Sequence, residues 1–200
     1  MIQSESDRYA LSFTSGALLS KEAAILAPIY IELKDWDKVR DLSISQNLLQ
    51  ARTYRTGVRA TRETIKRLSA LTGRELKFLD EITASERGHL MWVAACRRYN
   101  LIGEFAEEVL REKFLTLAGS VTYSDYDSFF RTKSMWHDEL GTIADSTYKK
   151  LRGVLFRMMF EASLIDSDGV IEPTLLSARV LEFLSVRRPS DIRFFPIREY

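Results

Sequence analysis

"ARTYRTGVRATRETIKRL", residues 51–68, shows the period of an α-helix twice over. One set of mostly apolar or small side chains recurs at alternating steps of three and four, the spacing of a buried helical stripe: Ala51, Tyr54, Val58, Thr61, Ile65 and Leu68. Basic side chains follow the same steps one position later, at Arg52, Arg55, Arg59, Arg62 and Lys66. Since one residue turns a helix by about 100°, the two stripes lie side by side. The stretch predicts an amphipathic helix with Tyr54 towards the core and the bases towards solvent.

Positive charge is concentrated in two segments of a chain whose net charge is only +1. Residues 51–74 hold seven bases and one acid, Glu63, and residues 146–160 hold four bases and no acid. Like charges three or four positions apart on a helix destabilise it by a few tenths of a kcal/mol per pair. A polyanionic partner would supply the missing charge, so we predict nucleic-acid contact. A solvated face, or a face that docks an acidic protein, remains the alternative.

The helical period dominates the rest of the chain as well. Helices are predicted over residues 21–33, 35–45, 85–119 (two in succession), 122–136, 138–144 and 146–160, the last with Ser146 as its N-cap. After it, "LIDSDGVI" (164–171) has the pattern of a short β-hairpin around a turn at Ser167, Asp168 and Gly169. The fold class predicted is mainly α.

The order of these segments predicts two helix-turn-helix-like elements, because each basic helix follows a shorter helix and a turn. The hairpin would make the C-terminal element a winged helix. We therefore divide the chain into an N-terminal region (1–80), a central helical pair (81–120) and a C-terminal winged region (121–200) whose last residues run extended.

The sequence offers little for catalysis, and we predict no enzyme, no metal site and no cofactor. His89 and His137 are 48 residues apart, without partners at metal-ligand spacing, and no phosphate-binding glycine loop occurs. Cys96, the only cysteine, has apolar neighbours and is predicted to be structural. The lone cysteine, the acidic start of the chain and the lack of a long apolar run indicate a cytoplasmic protein that does not enter a membrane.

Three blocks of the sequence together resemble one known family, the BrxA family of BREX phage-defence systems. They are "NLLQARTYRTGVRATRETIKRL" (47–68), "AACRRYNLIGEFAEEVLREKF" (94–114) and "STYKKLRGVLFRMMFEASLID" (146–166). The likeness runs from about Ser15 to Leu176 in the same order and spacing. It implies a bacterial cytoplasmic protein acting beside a methyltransferase, an ATPase and other BREX proteins. The family is similar to NusB, an all-α RNA-binding factor, and is also viewed as DNA-binding.

The function predicted is non-enzymatic binding of double-stranded DNA, with phosphates gripped by the two basic helices and weak sequence preference. The residues expected to make these contacts are Arg52, Thr53, Arg55, Arg59, Arg62, Lys66, Lys149, Lys150 and Arg152. Two alternatives stay open. One is RNA binding in the manner of NusB, and the other is an adaptor that docks other BREX proteins, for example through the acidic segment 104–114.

Overall fold

A computed structural model describes residues 8–14 and 16–198, and most of these residues are helical, as predicted. The N-terminal part contains α1 (Ser20–Leu33), α2 (Trp36–Ser45), α3 (Tyr54–Leu68) and α4 (Gly73–Glu81). The middle contains α5 (Ala84–Arg98) and then α6 (Asn100–Phe105), a π-helical segment (Ala106–Arg111) and α7 (Glu112–Leu115) in succession. The C-terminal part contains α8 (Tyr123–Ser134), α9 (Asp138–Gly141), α10 (Asp145–Glu161), α11 (Ala178–Ser185) and a 3-10 turn (Asp191–Phe194).

Threonine side chains define where three of these helices begin. Thr72, Thr83 and Thr122 each accept a hydrogen bond from the backbone N–H three residues later, and an acidic side chain at that later position accepts the threonine N–H in return. Such capping boxes satisfy two backbone donors that a helix start leaves free. Local sequence therefore determines the first residue of α4, α5 and α8.

Helix α5 lies at the centre of the fold. Every residue from Gly88 to Cys96 is buried, which requires neighbours on all sides of the helix. These neighbours include α1, α3, α4, α10 and α11. The indole N–H of Trp92 donates to the carbonyl oxygen of Phe194 at 2.9 Å and so ties the C-terminal turn to α5. Buried residues from all three predicted regions belong to one hydrophobic core, which runs from Tyr9 to Phe195.

The predicted β-hairpin wing is wrong, since residues 8–14 and 16–198 contain only two isolated β-bridges and no strand. Ile165 pairs with Ile171, whereas Val170 pairs with Ser120 from the segment after α7. The backbone after α10 thus bonds partly to itself and partly to the segment that follows α7, and neither pairing extends into a ladder. The Asp166 carboxylate accepts the N–H groups of Asp168 and Val170 and closes the turn without strands.

Two smaller predictions about the C-terminal half are also wrong. The N-cap of α10 is Ala144 rather than Ser146, because the helix begins at Asp145. The last residues do not simply run extended: Asp191–Phe194 form the 3-10 turn, and Phe194 and Phe195 are buried. Two adjacent phenylalanines in the tail are large enough to draw it onto the core.

Cys96 is expected to react slowly with thiol reagents in the native protein. Its side chain is 2% exposed, and burial raises the pKa of the thiol well above its usual range, so little of the reactive thiolate forms. Labelling should be slow in buffer and fast in denaturant, measured with a chromogenic thiol reagent. Fast labelling of the folded protein would contradict the structural role.

Within the part of the chain that the structure describes, no helix has both the length and the apolar character needed to cross a bilayer.

A candidate nucleic-acid interface on helix α3

The N-terminal half of α3 extends beyond the hydrophobic core. No residue from Tyr54 to Ala60 is buried, and burial begins only at Thr61. At a rise of 1.5 Å per residue, this exposed half is about 10 Å long. Thr61 and Ser43 are joined by a 2.9 Å hydrogen bond between their hydroxyl groups, which holds the middle of α3 against α2. The N-terminal half of α3 therefore lies at the surface, next to the α2–α3 connection, and Thr61 fixes its inner end.

Tyr54 is 77% exposed, so the prediction that it faces the core is wrong. Helical period gives the direction in which a side chain points, but it does not tell whether any core lies in that direction. Helix α3 begins at Tyr54, with Thr53 as its N-cap, and the core is first met seven residues later. An exposed aromatic ring thus stands at the tip of the basic helix.

The predicted basic residues of this segment are all exposed, and we call them together the basic face: Arg52, Arg55, Arg59, Arg62 and Lys66. None of the four arginines forms an ion pair with any other residue of 8–14 and 16–198. The Lys66 ammonium donates to the Ser12 hydroxyl at 3.1 Å. Arg52 precedes the helix and lies in the connection from α2. The four basic residues within α3 therefore line one groove together, whereas Arg52 lines a second groove.

Glu63 does not neutralise the basic face, although it is the only acid nearby in the sequence. Its side chain is buried and accepts hydrogen bonds from the Tyr99 hydroxyl at 2.7 Å and the Arg67 guanidinium at 3.1 Å. Arg67 is fully buried and also donates to the carbonyl oxygens of Ala17 and Leu18. Burial lowers the pKa of Arg67, and the Glu63 carboxylate opposes this effect. Glu63, the only acid of residues 51–74, is thus paired with Arg67, the buried base of the same segment.

Thr53, predicted to reach a phosphate, uses its hydroxyl within the helix start. It accepts the Thr56 N–H at 3.2 Å and donates to the Thr56 hydroxyl at 2.9 Å. An N-cap of this kind satisfies one of the free donors of the first turn. Thr53 therefore positions the beginning of α3, and its donor is already engaged.

The second basic helix, α10, presents only part of the predicted set. Lys149 and Lys150 are exposed in its first turns. Arg152, by contrast, pairs with Asp127 of α8 at 2.7 Å, and its guanidinium lies 4.3 Å from the centre of the Tyr123 ring. Its side chain is only 19% exposed. Arg152 thus joins α10 to α8, a role that sequence spacing alone does not reveal.

Two grooves flank Tyr54 on the basic face. One, of about 380 Å³, is lined by Arg55, Arg59, Arg62 and Lys66, and also by Ser12 and Glu63. The other, of about 250 Å³, lies between α2 and α3 and includes Asn47, Ala51, Arg52 and Gly57. Tyr54 and Val58 line both grooves. The tyrosine thus separates two concave spaces that each contain arginine.

The acidic segment 104–114, considered above as a docking face, has many of its charges paired within the molecule. Lys133 contacts Glu104 at 2.6 Å and Glu108 at 2.7 Å, and Arg193 contacts Glu107 at 3.1 Å. These pairs link the segment to α8 and to the C-terminal turn. They reduce the free negative charge that a basic partner would meet.

The fold and the site together define the chain as an all-α protein with an exposed basic helix. It belongs to the BrxA family, whose family model matches residues 7–188, and the resemblance noted from the sequence is thereby confirmed. Among similar proteins, "BREX protein BrxA" of Bacillus cereus (strain H3081.97) is 27% identical over 158 residues, covering 74% of this chain and 75% of that protein. "BREX protein BrxA" of Escherichia coli O9:H4 (strain HS) is 22% identical over 152 residues, covering 76% and 71%.

A solved structure shares the whole fold. The crystal structure of an uncharacterized protein from Magnetospirillum magneticum superposes with a TM-score of 0.83 at 21% sequence identity, covering 94% of this chain and 99% of that one. The likeness extends to the fold and, at this identity, no further.

Proposed function

We propose that this chain is a DNA-binding component of a bacterial BREX system and that it acts in the cytoplasm by binding rather than by catalysis. The observation that carries the proposal is the exposed N-terminal half of α3, whose arginines form no ion pair with any residue of 8–14 or 16–198. The BREX assignment rests on family membership and on relatives named as BREX proteins. Partners among the other BREX proteins, such as a methyltransferase or an ATPase, follow from the same assignment.

The dimensions of α3 suit double-stranded DNA. The major groove is about 12 Å wide and admits an α-helix, and an exposed length of about 10 Å corresponds to two helical turns. Helix α2, packed on α3, would lie across the backbone, as in a helix-turn-helix element. We therefore propose a helix-turn-helix element formed by α2 and α3, without a β-hairpin wing in the C-terminal part.

Phosphate contact is the expected mode of binding. Arg52, Arg55, Arg59 and Arg62 form a set whose mutual repulsion a phosphate backbone would relieve. Lys149 and Lys150 on α10 are proposed as a second contact, whereas Arg152 is assigned to fold stability because Asp127 already holds it. Arginines that grip phosphates carry little sequence information, so sequence preference should be weak.

Changing Arg55 and Arg59 together to glutamine is expected to weaken DNA binding and to reduce its salt dependence. Four phosphate contacts give a log–log salt slope of about −3.6, at roughly −0.9 for each phosphate neutralised. The double variant should flatten this slope by about two units and lose affinity similarly for unrelated duplexes. Fluorescence anisotropy over a range of salt concentrations measures both quantities.

A matched control is the double change Lys21→Gln and Lys77→Gln, which removes the same charge from exposed positions on α1 and α4. This control should bind as the parent does. Equal slopes for the parent and the Arg55/Arg59 variant would show that α3 is not the DNA-binding element, and the adaptor function would then take its place.

The exposure of Tyr54 favours a second candidate, the binding of structured RNA. Unpaired bases in RNA loops are recognised by stacking on exposed aromatic side chains, and Tyr54 is such a side chain among arginines. Comparing duplex DNA with hairpin RNA at matched salt distinguishes the two candidates, since clearly tighter binding of the hairpin would select RNA.

A further inference from the structure

Tyr54 has no structural task among the residues that the structure describes. Its ring is 77% exposed, it stacks on no other ring, and its hydroxyl makes no hydrogen bond with residues 8–14 or 16–198. Among the residues that the structure describes, the other exposed tyrosine is Tyr123, which packs edge-on against Phe156 and lies under the Arg152 guanidinium. Tyr54 therefore differs from the surface aromatics that stabilise the fold.

The surroundings of Tyr54 are concave and basic on both sides. Arg55 and Arg59 line one groove and Arg52 lines the other, while Val58 supplies an apolar wall to both. A planar group placed against either side of the ring would thus meet an apolar surface and a positive charge. A nucleotide has this combination, because it carries a flat base between negative phosphates.

Stacking requires the face of a base, and a continuous duplex does not expose one. In the major groove, paired bases present only their edges. A base becomes available to an aromatic ring only where it has left the stack, as in a bulge, a gap or a flipped nucleotide. Tyr54 is the first residue of the basic helix and its ring is exposed, so such a base can reach it.

We propose that Tyr54 is a base-stacking residue and that the basic face prefers DNA duplexes interrupted by an unpaired base. This inference rests on the proposed DNA binding and adds the structure of the DNA that is preferred. The arginines on either side would hold the phosphates that flank the unpaired base, and the ring would cover the base itself.

The test compares a continuous duplex with the same duplex carrying one extrahelical aminopurine, a fluorescent adenine analogue. Stacking of a base on an aromatic ring contributes roughly five- to hundredfold in affinity, so we expect the interrupted duplex to bind about tenfold more tightly. We also expect the aminopurine fluorescence to be quenched on binding. Tyr54→Ala should lose both the preference for the interrupted duplex and the quenching, whereas Tyr54→Phe should keep both.

Trp136→Ala is the matched control, because Trp136 is also an exposed aromatic residue, at 72%, but lies between α8 and α9. It should behave as the parent. Equal affinity of the parent for both duplexes, or an unchanged preference in Tyr54→Ala, would overturn the inference while leaving the proposed DNA binding in place. Failure to bind either duplex would remove both proposals, and tighter binding of an RNA hairpin with the same bulge would assign the stacking to RNA.

Discussion

Replacing Arg67 with methionine is expected to lower the free energy of unfolding by about 3–5 kcal/mol, the usual effect of removing one partner of a buried ion pair. Arg67 is fully buried and donates to Glu63 and to the carbonyl oxygens of Ala17 and Leu18. Methionine fills much of the volume but leaves the Glu63 carboxylate buried, with the Tyr99 hydroxyl as its one remaining donor among residues 8–14 and 16–198. Thermal unfolding should show a melting temperature lower by roughly 6–20 °C, at about 2–4 °C per kcal/mol.

Arg62→Met is the control for this experiment, since it makes the same change on the exposed side of the same helix. It should alter stability by no more than about 0.5 kcal/mol. Adding Glu63→Gln to Arg67→Met should recover part of the loss, because a neutral amide is less costly to bury than an unpaired carboxylate. An Arg67→Met protein as stable as the parent would mean that the Glu63 carboxylate becomes hydrated and that the Arg67–Glu63 pair does not hold α3 in place.

Replacing Arg97 with methionine is expected to have an effect of similar size, about 3–5 kcal/mol at neutral pH. The Arg97 guanidinium contacts the Glu75 carboxylate at 2.6 Å and the Asp191 carboxylate at 2.8 Å, and all three side chains are at most 4% exposed. The change would leave two buried carboxylates without their ion-pair partner and would remove the polar link from α5 to α4 and to the C-terminal turn. Denaturant unfolding measures the loss. Arg74→Met is the control, because Arg74 is exposed and makes surface contacts with Glu182 at 3.8 Å and with the Phe183 ring at 5.6 Å.

The same cluster should make stability depend on pH in the acid range. Burial raises the pKa of Glu75, but hydrogen bonds from Arg97 and Thr72 outweigh it and bring that pKa below its ordinary value of 4.5. A carboxylate with a depressed pKa in the folded state stabilises the protein above the ordinary pKa, and this contribution is lost as pH falls through the folded-state value. The difference in stability between the parent and Arg97→Met should therefore narrow below about pH 4.5. A constant difference across that range would show that Glu75 is not coupled to Arg97.

The helices and the basic stripe could be predicted from the sequence because both depend on nearby residues. The spacing of Arg55, Arg59 and Arg62 is a property of one helix, and a helix has the same period wherever it lies in a fold. Similarly, the matching blocks that indicated the BrxA family are contiguous, and the family model confirms them. Helices α4 and α11 were not among the predicted helices, since short segments carry few periods from which to recognise them.

The features that the sequence did not reveal depend on distant parts of the chain. Tyr54 lies on the apolar stripe, but burial along α3 begins only seven residues later, so the ring is exposed to solvent. Glu63 is the one acid among the bases of residues 51–74, but in the folded protein it bonds to Tyr99 and Arg67 and does not neutralise the basic face. Arg152 resembled Lys149 in sequence, yet Asp127, 25 positions away, holds it.

By itself, then, the sequence determined the mainly helical class, the segments that carry positive charge and the family, because local period and contiguous motifs encode them. Only the tertiary structure decided which charges stay free, which aromatic ring is exposed and whether the residues after α10 form a wing. The reason is that burial and pairing depend on which distant residues of the chain pack beside a side chain. Helical period contains no information about those distant residues.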